Sequence, residues 1–220
     1  MSTRTEGIVI IREIASLDEQ LKLINLIMKN SKLKDTNGNW NMKSRGRYFS
    51  KISKYPDEDA EYLKNCAQKF KTEVEKLDSS LSYLDVTHML TLVYPSTQGI
   101  GWHRDSYGGN DGDEGAPVYS FTLGNSCIFE YKLVNTKDVI SVTLNSGDII
   151  VFGGPQRLMW HRVKTVIKGS FDGLGKSENF DVRINLTLRT CTNFTDEQEL
   201  EYQTENYVKR LAEKWNKTNY

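Results

Sequence analysis

The chain has 220 residues, enough for one domain with a sizeable core, and its 29 Lys and Arg balance 29 Asp and Glu for a formal net charge of zero. That balance rules out a molecule that is a polycation as a whole, so any contact with a polyanion must come from a local patch. Cys66, Cys127 and Cys191 are far apart with no C-x-x-C, and no run approaches the ~18–20 apolar residues of a membrane span, so a cytoplasmic or nuclear protein without a disulfide framework is expected.

Gly7–Ile14 reads as a strand. Ser16-Leu17-Asp18-Glu19 is a capping box, and Leu17, Leu21, Ile24 and Met28 follow at helical spacing. Met28–Tyr55 then carries eight Lys or Arg against Asp35 alone, with Trp40, Tyr48 and Phe49 among them. Aromatics interleaved with cations suit phosphate contact and base stacking; the same pattern also fits a solvated loop with a few residues packed down. A second helix is predicted over Asp57–Leu77, with Leu63, Ala67, Phe70, Val74 and Leu77 on one side. After Asp85 the pattern changes to short β-branched or alternating runs: Val86–Tyr94, Val118–Leu123, Cys127–Leu133, Val139–Leu144, Asp148–Phe152, Trp160–Val166 and Val182–Arg189. Turn residues such as Gly124-Asn125 and Gly153-Gly154-Pro155 separate them, which predicts a β-sandwich or jelly roll. Thr195–Trp215 reads as a helical tail.

His103-Arg104-Asp105, followed after four residues by Asn110, has the spacing of a protein-kinase catalytic loop. The context of a kinase is missing: no G-x-G-x-x-G precedes it, and Phe171-Asp172-Gly173 is not D-F-G. A different chemistry fits better. In an extended segment His103 and Asp105 fall on one face, and His161, on a later strand, can complete a set of two imidazoles and one carboxylate. Such a set leaves open positions on a metal and is the signature of non-haem Fe(II) oxygenases. Near the end, Arg183-Ile184-Asn185-Leu186-Thr187-Leu188-Arg189 alternates. Arg183, Asn185, Thr187 and Arg189 share a face that could line a pocket for a dianion, since Arg recognises carboxylates bidentately. A plain surface edge would give the same alternation.

With these motifs in this order, the chain resembles the AlkB-like Fe(II)/2-oxoglutarate dioxygenases, which dealkylate nucleic acids. The likeness is carried by His103-Arg104-Asp105, by Val151–His161 and by Arg183–Arg189, and it covers about Val86–Thr190. The resemblance implies that His103, Asp105 and His161 bind iron, that Arg183 pairs with the distal carboxylate of 2-oxoglutarate, and that Asn185, Arg189 and Tyr94 line the same pocket. It implies an α+β, mainly β fold: a double-stranded β-helix over 86–190, an N-terminal extension over 1–85 with helices and a basic nucleotide-recognition lid, and a helical tail over 191–220, all in one domain. It also implies Fe(II), 2-oxoglutarate and O2 as cofactors and an alkylated DNA or RNA base, single-stranded or flipped from its stack, as substrate. Candidate substrate contacts are then Trp40, Arg45, Arg47, Tyr48, Tyr107 and Arg157. A monomer is expected.

The chain departs from the family pattern at Tyr107, where bacterial members carry an acid, at Leu92, where an Asn is common, and in the glycine-rich acidic insert Gly108–Gly115. A protein hydroxylase or lysine demethylase of the same superfamily is the alternative function, and a binding module with a dead site is a third. His88 reads as a core or rim histidine, and Trp102 and Trp160 as residues packed behind the iron site.

Overall fold

The structure, a computed structural model, describes residues 2–30, 46–95, 97–105, 116–173 and 180–191. The expected helical tail, Trp40, Arg45 and Tyr107 lie outside the described residues.

The capping box forms as the sequence predicts. Ser16 N–H donates to Glu19 Oε2 across 2.7 Å and Glu19 N–H to Ser16 Oγ across 3.3 Å, so two donors of the first turn are satisfied reciprocally. Helix α1 (Leu17–Asn30) starts there. It buries Leu23, Ile24, Ile27 and Met28 and leaves Leu17 48% exposed, so the inward stripe is rotated from the one that Leu17 and Leu21 would head. Helix α2 (Asp57–Leu77) matches its predicted bounds. Acidic Asp57, Glu58 and Asp59 in its first turn complement the helix dipole, and Leu63, Ala67, Phe70 and Val74 form the buried face.

Eleven strands among the described residues make two antiparallel sheets. The large sheet has β1 (Ser2–Thr5), β2 (Ile8–Ile11), β3 (Gly46–Lys51), β4 (His88–Tyr94), β6 (Val118–Gly124), β9 (Ile149–Phe152) and β11 (Arg183–Arg189), in the order β1-β2-β9-β6-β11-β4-β3. The small sheet has β5 (Gln98–His103), β7 (Ser126–Lys132), β8 (Ile140–Leu144) and β10 (Trp160–Ile167), in the order β5-β10-β7-β8. This is the jelly-roll arrangement expected. The part before residue 86 adds three strands to the large sheet as well as the two helices.

Strand alternation sorts the core into two layers. One face of the large sheet, with Tyr119, Phe121, Ile184, Leu186 and Leu188, packs on both helices; Phe70 and Phe121 lie 5.0 Å apart between ring centroids. The opposite face, with Tyr94, Val118, Ile150 and Phe152, packs on Phe129, Tyr131, Val163 and Val166 of the small sheet. The polar alternates Arg183, Asn185 and Thr187 therefore point into the space between the sheets. Phe49 and Tyr48 show the same sorting. Phe49 is fully buried and stacked on His88, with centroids 5.0 Å apart, so it is a core residue. Tyr48, on the next position, packs against the helix-side layer.

Candidate active site

His103 closes β5 and His161 is the second residue of β10. The two strands pair so that His103 and His161 are cross-strand neighbours. Their rings lie 4.2 Å apart between centroids. Asp105 follows β5 by two residues, and its Oδ1 is 3.8 Å from His103 Nε2 and 3.7 Å from His161 Nε2. One ligand atom from each residue fits within 4.8 Å of the others. Each imidazole has its Nδ1 against a main-chain carbonyl: Gly101 O at 2.9 Å for His103 and Met159 O at 3.2 Å for His161. A carbonyl only accepts, so each Nδ1 donates a proton to it and Nε2 is the ring nitrogen left to face Asp105. Three donors of this chemistry converging from two strands fit a divalent iron.

The electrostatics agree with that use. Burial would raise the Asp105 carboxyl, but the Arg189 guanidinium, foremost among its neighbours, holds it below the usual carboxylate range. Arg189 Nη2 donates to Asp105 Oδ2 across 2.8 Å. Burial, with His103 alongside, pushes His161 down to about 4. The set is an anionic carboxylate with a neutral imidazole beside it, the protonation that metal ligation needs. Phe129 and Phe152 lie against His161, at 5.6 and 5.2 Å between centroids, and keep its ring apart from water.

Arg183 lies across the same cavity. It is 1% exposed, opposite Tyr94 in the register of β11 and β4, with its guanidinium carbon 5.1 Å from the centre of the Tyr94 ring. Its Nη2 donates to Thr122 Oγ1 and Asn185 Oδ1, each at 3.1 Å, and Asn185 Nδ2 donates to Thr187 Oγ1 at 2.9 Å. Nε and Nη1 have no hydrogen-bond partner among the described residues. A buried guanidinium with two unused donors and no carboxylate beside it among the described residues is costly unless an anion enters. That is the demand a dicarboxylate cosubstrate meets. Tyr94, His103, Asp105, His161, Arg183, Asn185 and Thr187 all line this one cavity.

The structure thus brings together His103, Asp105, His161, Tyr94, Arg183, Asn185 and Arg189, all expected from the sequence. The candidate substrate contacts are more scattered. Arg47 pairs in register with Leu92, which lines the cavity, so it belongs to the cavity-side row of β3; Tyr48 is on the opposite side. Arg157 is buried and donates through Nε to Ala116 O (2.6 Å) and through Nη1 to Asp105 O (2.5 Å), so it ties the main chain on either side of residues 106–115. Ser120 and Thr122 were not anticipated. Ser120 Oγ donates to Asn185 Oδ1 at 2.8 Å and Thr122 receives Arg183. Their signal was present, since two hydroxyls alternate with Tyr119, Phe121 and Leu123 in β6.

A family profile described as the 2OG-Fe(II) oxygenase superfamily matches residues 13–189. Among curated proteins, the chain is 34% identical over 103 residues to the DNA N(6)-methyladenine demethylase ALKBH1D of Arabidopsis thaliana, covering 44% of this chain and 23% of that protein. It is 36% identical over 101 residues to an alpha-ketoglutarate-dependent dioxygenase AlkB homolog of Caulobacter vibrioides, covering 46% and 43%. It is 28% identical over 125 residues to AlkB of Escherichia coli, covering 56% and 54%. The chain thus spans between about a quarter and about half the length of these relatives. Among solved structures, OsALKBH1 aligns with a TM-score of 0.65 at 21% identity, over 86% of this chain and all of that one. A Pseudomonas putida prolyl-4-hydroxylase aligns at 0.54 and 14% identity, over 83% and 92%; both likenesses concern the fold.

Proposed function

The chain belongs to the 2OG-Fe(II) oxygenase superfamily, and on that premise we propose that it oxidatively removes N-alkyl groups from nucleobases in DNA or RNA. Its cofactors are Fe(II), 2-oxoglutarate and O2, and its relatives are AlkB-like. The observation that carries the reading is the convergence of the His103, Asp105 and His161 donors on one wall of a cavity with the unsatisfied Arg183 donors on another. The choice of nucleic acid rests on relatives whose names are those of AlkB and of DNA demethylases.

Each side chain then has a task. His103, Asp105 and His161 hold the metal, with both imidazoles oriented by Nδ1–H bonds to carbonyls. Arg189 keeps Asp105 ionised and fixes one of its oxygens, which leaves Oδ1 turned to the histidines. Arg183, with Nη2 held by Thr122 and Asn185, would take the distal carboxylate of 2-oxoglutarate. Leu90, Leu92, Phe129 and Phe152 add an apolar stretch to the wall beside the polar groups. Together the bound cofactors supply oxidation of a C–H bond beside nitrogen, with 2-oxoglutarate converted to succinate and CO2 and the alkyl group leaving as an aldehyde.

The deciding assay measures succinate formed with alkylated oligonucleotides and, in parallel, with peptides. Stimulation by alkylated oligonucleotide, with aldehyde released in equal amount, is expected. Stimulation by peptide alone would transfer the chain to the protein-hydroxylase alternative.

A further inference from the structure

The strands that carry His103 and His161 have a second face, which the iron chemistry does not use. Trp102 stands beside His103 and Trp160 beside His161, so both point away from the cavity. Both are half-exposed, and each carries cations. The Arg104 guanidinium lies 4.6 Å from the centre of the Trp160 ring; Lys132 Nζ and Arg162 Cζ lie 4.8 and 4.7 Å from that of Trp102. Lys164 continues the row two residues after Arg162. Cross-strand register makes the row continuous, since Trp160 pairs with Lys132 and Arg162 with Glu130. Glu130 is the one carboxylate on these strand positions, bonded to Lys164 Nζ at 2.9 Å and to Arg162 Nη2 at 2.6 Å. Four cations to one acid is a marked local excess in a chain of zero net charge. Next to Arg104 and Trp160, the loop over 133–137 and Leu158 bound a cleft of about 340 Å³, within the usual size range of small-ligand clefts.

We propose that this outer face of the small sheet is a docking track for the backbone of a single nucleic-acid strand. The inference rests on the nucleic-acid reading above and names a surface for it. The chemistry is that of strand binding without sequence readout. Cations spaced along two strands meet successive phosphates, and the two half-exposed indoles add aromatic surface beside them that a base of any identity can lie against. Arg104 joins the two faces of the protein. It lies in sequence between two of the proposed metal ligands, yet its side chain is on the track.

The test uses the full chain with Mn(II) in place of iron and an unmodified, fluorescein-labelled oligothymidylate of about 16 nucleotides, the upper end of one strand-binding site. Lys132→Gln/Lys164→Gln removes two cations without touching the cavity. Its affinity should fall at least about fivefold, and the slope of log K against log salt should flatten by about 1.4, two contacts at ~0.7 each. Lys64→Gln/Lys76→Gln, the same charge change on the exposed side of α2, should match the parent. Lys137→Gln, at the cleft, is a second reporter and should weaken binding with a slope change of about 0.7. Parent-like affinity and slope in both track variants would overturn the track, as would an equal loss in the α2 control. Binding of an acidic peptide that depends on Lys132 and Lys164, with none of the oligothymidylate, would make the face a protein-docking surface and also overturn it. Succinate formation by the unaltered enzyme on alkylated oligonucleotide reports on the catalytic reading separately. If that persists while the track variants bind like the parent, only the track fails.

Discussion

Arg189 reaches from the end of β11 to hold Asp105 Oδ2 at 2.8 Å, and it does so from a nearly fully buried position. The bond turns one carboxylate oxygen away and leaves Oδ1 facing both histidines. Groups that orient a metal ligand typically contribute 10–100-fold to metal affinity or activity. Arg189→Met should therefore weaken Co(II) binding by about that factor, read by titration of the cobalt absorption bands. Asp105→Ala should abolish Co(II) binding at this site and all turnover while the melting transition remains cooperative. Sustained 2-oxoglutarate turnover in Asp105→Ala would remove Asp105 from the metal site.

Arg183 offers a separate test of the cosubstrate. Charge-assisted bonds of this kind contribute ~1.5–3 kcal/mol, and ~1.4 kcal/mol is a decade in affinity. Arg183→Met should raise the 2-oxoglutarate Kd at least about tenfold, measured calorimetrically with Mn(II) present. It also removes two buried nitrogens without a partner among the described residues, so its melting temperature without 2-oxoglutarate should not fall. An unchanged Kd would assign the distal carboxylate to another base.

How much of this was legible beforehand follows from which signals are local. The Ser16–Glu19 box and the Asp57–Leu77 helix are written in spacing and caps, and both appear as expected. The seven β runs also form, because alternation between two buried layers leaves a period of two. β3 was hidden: Gly46–Lys51 sits in a basic stretch whose charge suggested a lid, and only its pairing along β4, from Gly46 with Val93 to Lys51 with His88, shows that it is a strand. Ser2–Thr5 was hidden too, since all four residues are exposed and carry no pattern. For the site, the metal donors and the Arg183 row could be read because their order is distinctive. The ties of Arg157 to the main chain could not, because main-chain acceptors leave no mark on the sequence.

Gly99 tests whether strand pairing positions the iron site. A Cβ built there would come within 1.8 Å of Val163 O, a main-chain atom of β10 that cannot swing aside. The pairing of β5 and β10 is already irregular between His161 and Val163. Gly99→Ala must push the two strands apart four residues before His103. Overpacking of this kind costs about 1–3 kcal/mol, which for this chain length lowers Tm by roughly 2–4 °C per kcal/mol. Because His103 and His161 sit on the two separated strands, Co(II) affinity should fall as well. A variant that melts lower but binds Co(II) like the parent would show that the ligands are positioned independently of this contact.

The last prediction concerns acid stability, and Glu130 sets its sign. Lys164, through its side-chain hydrogen bond, and Arg162 after it hold the Glu130 carboxyl below its ordinary value against the opposing effect of burial. A carboxyl lowered in the folded state stabilises fully above the unfolded pKa, near 4.3, and loses that contribution as pH falls through the folded value. Glu130→Gln should therefore lower Tm at pH 7, by about 2–4 °C if the network contributes ~1 kcal/mol. The gap between the two proteins should close as pH falls below about 4. Melting curves of both proteins from pH 7 down to the acid limit read this directly. A gap that stays constant across that range would mean that the carboxylate charge is not the stabilising feature, and that Glu130 acts through packing alone.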